Sequence, residues 1–304
     1  MLPEEIIEKR VLISVLNWGM GHVSRSIGLI QQLLNQGNTV IVACSVDQEE
    51  IYRQYFENIE FVRHDGYPFM FRGKGNFGKD LLKQFSPLRK RLIKEIKEVD
   101  GLIEKYNVDV ILSDHRYGFR SSKVPSIFIT HQFNLPLKWY EVAVNLVHHK
   151  LMQKFNEIWI MDFQNSKLAG KLSKSGNDIK ASYIGPYSRF SLYNSENSSY
   201  KFETILIASG PNVYAQALVD EYLSKNSSQD IIVICDQEIK LPNGIERVSG
   251  NWKLQDEYIL SAKKIISRSG YSTIMDIDFL KCEAEFIPTP GQAEQEYLNS
   301  IYSK

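Results

Sequence analysis

Residues 267–299 read SRSGYSTIMDIDFLKCEAEFIPTPGQAEQEYLN, and this stretch decides the fold. It follows the apolar pair Ile265-Ile266, which reads as a buried strand. Ser269-Gly270 then reads as a tight turn that opens a helix, with Ser272 or Thr273 placed to cap it. A second short strand, Ala284 to Ile287, ends at Pro288 and Pro290, and another helix begins near Gln292. The first helix N-terminus, with its unpaired backbone N–H groups and partial positive charge, is a seat for phosphate. Asp276 lies two turns into that helix, where a carboxylate meets a ribose hydroxyl pair, and Gln292, Glu294 and Gln295 open the next helix, within reach of a sugar. Strand, anion-binding turn and polar helix start are the parts of a nucleotide-sugar pocket.

The pattern resembles the donor-binding half of GT-B glycosyltransferases, and in particular the N-acetylglucosaminyltransferase family that makes the peptidoglycan lipid intermediate. That family carries an R-S-G turn, an acidic residue six positions after the Gly, a Pro-rich loop and Q-x-x-x-N; here these are Arg268-Ser269-Gly270, Asp276 in place of Glu, Pro288 to Pro290, and Gln295 with Asn299. The resemblance implies two Rossmann-like, doubly wound α/β domains facing each other across a cleft. It implies transfer from a nucleotide diphosphate donor, a UDP-sugar such as UDP-GlcNAc, with inversion at the sugar carbon. No cofactor and no metal are implied, the nucleotide sugar being a co-substrate. Chains of this family continue past the Q-x-x-x-N helix, whereas this sequence stops at Lys304.

At the other end, Val11 to Leu16 is an apolar run of strand length, which in a parallel sheet means burial on both faces. It breaks at Asn17-Trp18-Gly19-Met20-Gly21-His22, and a helix follows from about Ser24 with Ile27, Ile30, Leu33 and Leu34 as its apolar stripe and Gly37 as its stop. Thr39 to Cys44 and Asp47 to Phe56 complete a βαβα opening that predicts a parallel sheet. A dinucleotide fold would place a third glycine where Ser24 stands and an acid after the second strand, where Cys44-Ser45 stand. The glycosyltransferases named above have a Gly-rich turn ending in Gly-His here, and Gly19, Gly21 and His22 match it on the acceptor side. A tight turn with a histidine capping the helix is the alternative.

Val108 to Ser113 and Ser126 to Thr130 are further buried strands, delivering Asp114-His115 and His131 to the carboxyl edge of the sheet, where open α/β folds bind ligands. His22, Asp114, His115 and His131 are thereby expected to converge, with His22 or Asp114 taking the proton from an acceptor hydroxyl. His148-His149, within a helical stretch, reads as structural. The second half restarts the pattern at Thr204 to Ser209, feeding Ser209-Gly210 toward the donor phosphates, and Trp252 falls in a loop where the family holds the base. The domains expected are 1–190 for the acceptor and 202–304 for the nucleotide sugar, joined by a Ser/Asn-rich linker over 191–201.

Bulk properties narrow the function. The formal net charge is zero over 304 residues, which argues against a general nucleic-acid binder. The three cysteines are scattered without metal-ligand spacing, and the N-terminus lacks a signal-peptide core, so a cytoplasmic protein is expected. Residues 67–97 interleave aromatics with Lys and Arg. That texture reads as a solvated helix face, as a contact with an anionic inner-membrane surface or lipid-linked acceptor, or as an RNA contact. Asp276 and Asp278 imitate a D-x-D metal motif, but residues two apart on a helix point to different sides. A nucleotide-sugar 2-epimerase of the same fold and a non-catalytic nucleotide-sugar sensor are the competing functions.

Overall fold

The computed structural model describes residues 1–68, 85–136, 142–176, 178–193, 200–226 and 231–303. The chain divides into two compact units, Met1–Tyr187 and Ser188–Lys304. Of the expected linker, 194–199 lie outside the described residues, as do 69–84 of the basic, aromatic stretch.

Unit 1 is a parallel α/β sheet in which strands β1 (Arg10–Val15), β2 (Thr39–Cys44), β3 (Glu60–Arg63), β4 (Val110–Asp114), β5 (Ser126–Thr130), β6 (Glu157–Ile160) and β7 (Ser182–Tyr183) run in the order β3-β2-β1-β4-β5-β6-β7. The register places Ile13 between Val42 of β2 and Leu112 of β4. Both faces of these central strands are covered, which is why they read as unbroken apolar runs. The helices are α1 (Gly21–Asn35), α2 (Val46–Tyr55), α3 (Phe85–Tyr106) and α4 (Val142–Met152). α1 buries Val23, Ile27, Ile30 and Leu33, spaced as one helical face demands, and ends at Gly37 with φ +77°, a left-handed conformation that favours glycine. Ser45 caps α2 reciprocally with Gln48. Leu12, Ile41, Val99, Ile111 and Phe119 form one core cluster of this unit.

Unit 2 repeats the plan with β8 (Phe202–Ile207), β9 (Ile231–Ile234), β10 (Glu246–Val248), β11 (Ala262–Ser267) and β12 (Glu283–Phe286), all parallel, in the order β10-β9-β8-β11-β12. Its helices are α5 (Asn212–Lys225), α6 (Trp252–Leu260), α7 (Tyr271–Leu280) and α8 (Ala293–Tyr302). In both units the strand order reverses once, between β1 and β4 and between β8 and β11. The loops after those four strands flank the crevice where open α/β sheets bind ligands. They are the glycine-rich turn, Asp114-His115, Ser209-Gly210 and Arg268-Ser269-Gly270.

Three local expectations are corrected. α7 is capped by the Gly270 backbone, and Ser272 and Thr273 fall inside its first turn. α1 starts at Gly21 rather than Ser24, which brings His22 into the helix. Trp252 is the first residue of α6, not a loop residue, because Asn251 accepts a hydrogen bond from the Leu254 amide and so caps the helix earlier than its apolar pattern suggests.

Candidate functional sites of the two units

In unit 1 the site is built around Arg25, a residue the sequence reading passed over. It lies one turn along α1 from His22, so both side chains share a face, and it is only 2% exposed. Its Nε donates to Asp114 Oδ2 at 2.7 Å, and its Nη2 forms an ion pair with Asp114 Oδ1. The same Nη2 lies 2.7 Å from His22 Nδ1, while Nη1 lies 2.7 Å from His131 Nδ1. One guanidinium therefore ties together residues from α1, the end of β4 and the loop after β5. His115 completes the group, with its ring 5.4 Å from that of His22 and 5.5 Å from that of His131. The four expected residues do converge: Arg25 holds His22, Asp114 and His131, and His115 packs against the two histidine rings.

The electrostatics follow from burial. Burial by itself would raise the Asp114 carboxyl, but the ion pair and hydrogen bonds with Arg25 oppose that, and the carboxyl lies well below the usual carboxylate range. Asp114 is thus an anion with both oxygens engaged, suited to orienting its neighbours more than to accepting a proton. His115 is pushed well below the usual histidine range by burial, with the Arg25 guanidinium acting in the same direction. Its backbone is left-handed at φ +57°, and its Nε2 meets the Thr130 hydroxyl at 2.8 Å. Gly19 adopts φ +150°, and Gly21 opens α1.

The loop that presents His131 is braced from behind. His148 Nε2 lies 2.9 Å from the Gln132 carbonyl, His149 Nε2 lies 2.9 Å from the Phe133 carbonyl, and Tyr117 Oη lies 2.7 Å from His148 Nδ1. Burial lowers His148 to about 4, so it is neutral at pH 7, with Nε2–H donating to the carbonyl and Nδ1 accepting from the tyrosine.

A second buried network lies at the same sheet edge. Arg116 Nε donates to Glu95 Oε1 at 2.7 Å, Tyr67 Oη donates to Glu95 Oε2 at 2.6 Å, and Arg116 Nη2 donates to the Asp65 carbonyl at 2.6 Å. Arg91, expected on the surface, is buried and holds Glu98 and the Asp65 carbonyl. The exposed face of α3 carries Arg89, Lys90, Ile93, Lys94 and Lys97.

Unit 2 spends several expected ligand groups on its own architecture. Arg268 is 4% exposed; its Nη1 donates to the Pro288 carbonyl at 3.0 Å and its Nη2 to the Tyr214 carbonyl at 3.0 Å. Its guanidinium straps the Pro-rich loop to α5 and is not directed at phosphate. The Gln295 side chain accepts from the Thr289 amide at 2.8 Å, and Ser269 Oγ donates to the Gln295 carbonyl at 2.8 Å. Asp276 is 7% exposed, accepting from Ser188 Oγ at 2.6 Å and from Arg189 Nη1 at 2.7 Å. Arg189 Nε reaches a second buried carboxylate, Asp256 Oδ1, at 2.7 Å. A ribose would have to displace Ser188 or Arg189 to reach Asp276.

The remaining candidates are more accessible. Ser209 and Gly210 are exposed, and Gly210 takes φ +94° where the chain turns into α5. Gln292 precedes α8 and Glu294 lies in its first turn, both half-buried. Trp252 Nε1 donates to Asp236 Oδ2 at 3.2 Å, and its ring lies 5.5 Å from the Arg189 guanidinium. Asp236, at the end of β9, also accepts from the Gly250 amide at 2.8 Å and Gln255 Nε2 at 2.7 Å, so it shapes the loop that presents Trp252. Among the described residues no group of three His, Cys, Asp or Glu is arranged to hold a metal ion, and no helix is long and apolar enough to cross a membrane.

Comparison with known proteins follows the same lines. No family model matches the chain. It is 22% identical over 293 residues to the UDP-N-acetylglucosamine--N-acetylmuramyl-(pentapeptide) pyrophosphoryl-undecaprenol N-acetylglucosamine transferase of Buchnera aphidicola, covering 92% of this chain and 79% of that protein. Among solved structures it is similar to the glycosyltransferase of kitacinnamycin, with a TM-score of 0.63, 15% identity and coverage of 96% of this chain and 84% of that one. It is also similar to MurG of Acinetobacter baumannii, with a TM-score of 0.53, 15% identity and coverage of 97% and 83%. The chain has the two-domain GT-B fold, and the likenesses in sequence and in fold are both to glycosyltransferases.

Proposed function

We propose that this protein is a glycosyltransferase that moves a sugar from a nucleotide diphosphate donor, UDP-GlcNAc or a related UDP-sugar, to an acceptor hydroxyl. The observation that carries the reading is the similarity, over 92% of the chain, to an N-acetylglucosaminyltransferase. The local chemistry agrees with it. The N-termini of α5 and α7 follow the two switch-point strands of unit 2, and their backbone N–H groups suit a diphosphate. The same amides stabilise the leaving diphosphate without a metal. Ser209, Gly210, Ser269 and Gly270 line those turns, Trp252 offers a stacking face for the base, and Gln292 and Glu294 offer hydrogen bonds to the sugar. Arg268, Asp276 and Gln295 brace this pocket through the contacts described above.

Unit 1 receives the acceptor at Gly19, Gly21, His22, His115 and His131. The reaction is inverting: the acceptor hydroxyl oxygen forms its bond to the anomeric carbon as the bond to the diphosphate breaks, the departing diphosphate takes the electron pair, and the hydroxyl proton is released to water. The exposed Arg89, Lys90, Lys94 and Lys97 around Ile93 suit an anionic lipid surface, which fits a lipid-linked acceptor and a peripheral position at the inner membrane face.

A thermal-shift screen with UDP, GDP, dTDP, UDP-sugars and NAD tests the donor. A ligand that binds only the folded state raises the melting temperature by mass action. UDP and UDP-sugars should raise it, and Trp252→Ala should weaken the response. A shift with NAD alone, or with no nucleotide at all, overturns the reading.

A further inference from the structure

The Arg25 contacts decide which nitrogen of each neighbouring histidine carries the proton. Guanidinium has five N–H donors, no acceptor and no accessible deprotonated form. Any ring nitrogen held at hydrogen-bond distance from it must offer a lone pair. Arg25 Nη2 and Nη1 each lie 2.7 Å from an Nδ1, that of His22 and that of His131 respectively. Both Nδ1 atoms are therefore bare, and each neutral ring carries its hydrogen on Nε2. We infer that Arg25 is a positioning residue that fixes His22 and His131 as hydrogen-bond donors through Nε2, taking both out of the role of general base.

The alternative is an Asp114–His22 dyad, in which His22 Nδ1–H donates to Asp114 and Nε2 accepts the proton of a substrate hydroxyl. Its Nδ1–Oδ1 distance is 3.1 Å, longer than the 2.7 Å to Arg25, and a proton on Nδ1 would face an Arg25 N–H donor head-on. Charge points the same way. Arg25 and Asp114, each with its side chain 2% exposed, already form a neutral pair. Neutral rings leave the buried cluster uncharged, whereas a proton added to either ring would leave an uncompensated positive charge beside Arg25. What these rings meet is then a lone-pair oxygen of the bound acceptor, not a hydroxyl proton. That last step rests on the glycosyl-transfer reading; the tautomers follow from unit 1 alone.

The test uses the full chain labelled with 15N at histidine and read by long-range 1H–15N correlation at neutral pH, without nucleotide or sugar. His22 and His131 should both show protonated Nε2 and bare Nδ1. A proton on His22 Nδ1 in the unaltered protein overturns the inference, whatever the donor screen shows. Arg25→Lys keeps a cation for Asp114 but lacks the fork that reaches both rings, so the His22 proton should move to Nδ1 and onto Asp114. Unchanged tautomers in a folded Arg25→Lys protein would equally overturn it. If that variant does not fold, the spectrum of the unaltered protein still decides.

Discussion

Replacing Asp276 by Asn should stabilise unit 2 at neutral pH, although it removes one member of an ion pair. Two buried carboxylates, Asp256 and Asp276, share the single guanidinium of Arg189, with Ser188 Oγ bonded to Asp276 and Tyr193 Oη bonded to Asp256. Burial raises the Asp276 carboxyl to about 6, a rise that Arg189 and Ser188 oppose and Asp256 reinforces. The ordinary value is 3.8. The difference is about 2.2 pH units, and at about 1.4 kcal/mol per unit it corresponds to about 3 kcal/mol. The sign follows from linkage. A group raised in the folded state contributes stability that is fully present below its unfolded value and lost as pH rises through the folded one. The contribution is therefore present at pH 3.8 and below and gone above about pH 6.

Asn stands in for the protonated carboxyl, and Arg189 keeps Asp256 as its counterion. Urea unfolding of the full chain should be followed from pH 4 to pH 8 for the parent and for Asp276→Asn, taking the difference at each pH so that other titrating groups cancel. The variant should be more stable by up to about 3 kcal/mol at pH 7.5, with the advantage vanishing toward pH 4. Attraction to Arg189 opposes this: removing one partner of a buried pair typically costs about 3–5 kcal/mol. A variant less stable by that amount at every pH would show that the pair outweighs the burial and refute the reasoning.

Two further outcomes follow from packing and burial. A Cβ added at Gly118 would lie 2.7 Å from the Leu92 carbonyl oxygen and 2.5 Å from Glu95 Oε2, so Gly118→Ala should destabilise unit 1 by about 1–3 kcal/mol, and an unchanged melting temperature would refute the packing argument. Burial pushes Cys44 up to about 12 and Cys282 up to about 11, and raises Cys235 as well, so the native protein should label slowly with a thiol reagent at pH 7.5 and yield three equivalents on denaturation. Rapid labelling of Cys44 in the native state would contradict its burial.

The GT-B architecture was legible because it rests on local signals. Apolar runs bounded by glycine and short polar turns specify buried parallel strands, and Ile27, Ile30 and Leu33 declare the inner face of α1 by spacing alone. β10 and the early start of α6 were not legible in the same way. Glu246–Val248 is three residues long with Val248 as its one apolar member, and its strand character comes from pairing with β9. The chemical residue types at the two switch points were also visible in the sequence, since polar groups following buried strands stand out against them.

What the sequence by itself determined was which residues arrive at the carboxyl edge of each sheet: His22, Asp114, His115 and His131 in unit 1, and the Ser209-Gly210 and Arg268-to-Gly270 turns in unit 2. What only the tertiary structure decided was which of their polar atoms are already engaged. Arg25 meets Asp114 across 89 residues and His131 across 106, and Arg189 meets Asp276 across 87. No periodicity or local propensity encodes such pairings. They arise because a buried charge must find a counter-charge and a buried donor an acceptor, and the partner is whichever one the packed chain brings within hydrogen-bond reach. This is why Arg268, Asp276 and Gln295 read as ligand groups in the sequence and stand as braces in the folded chain.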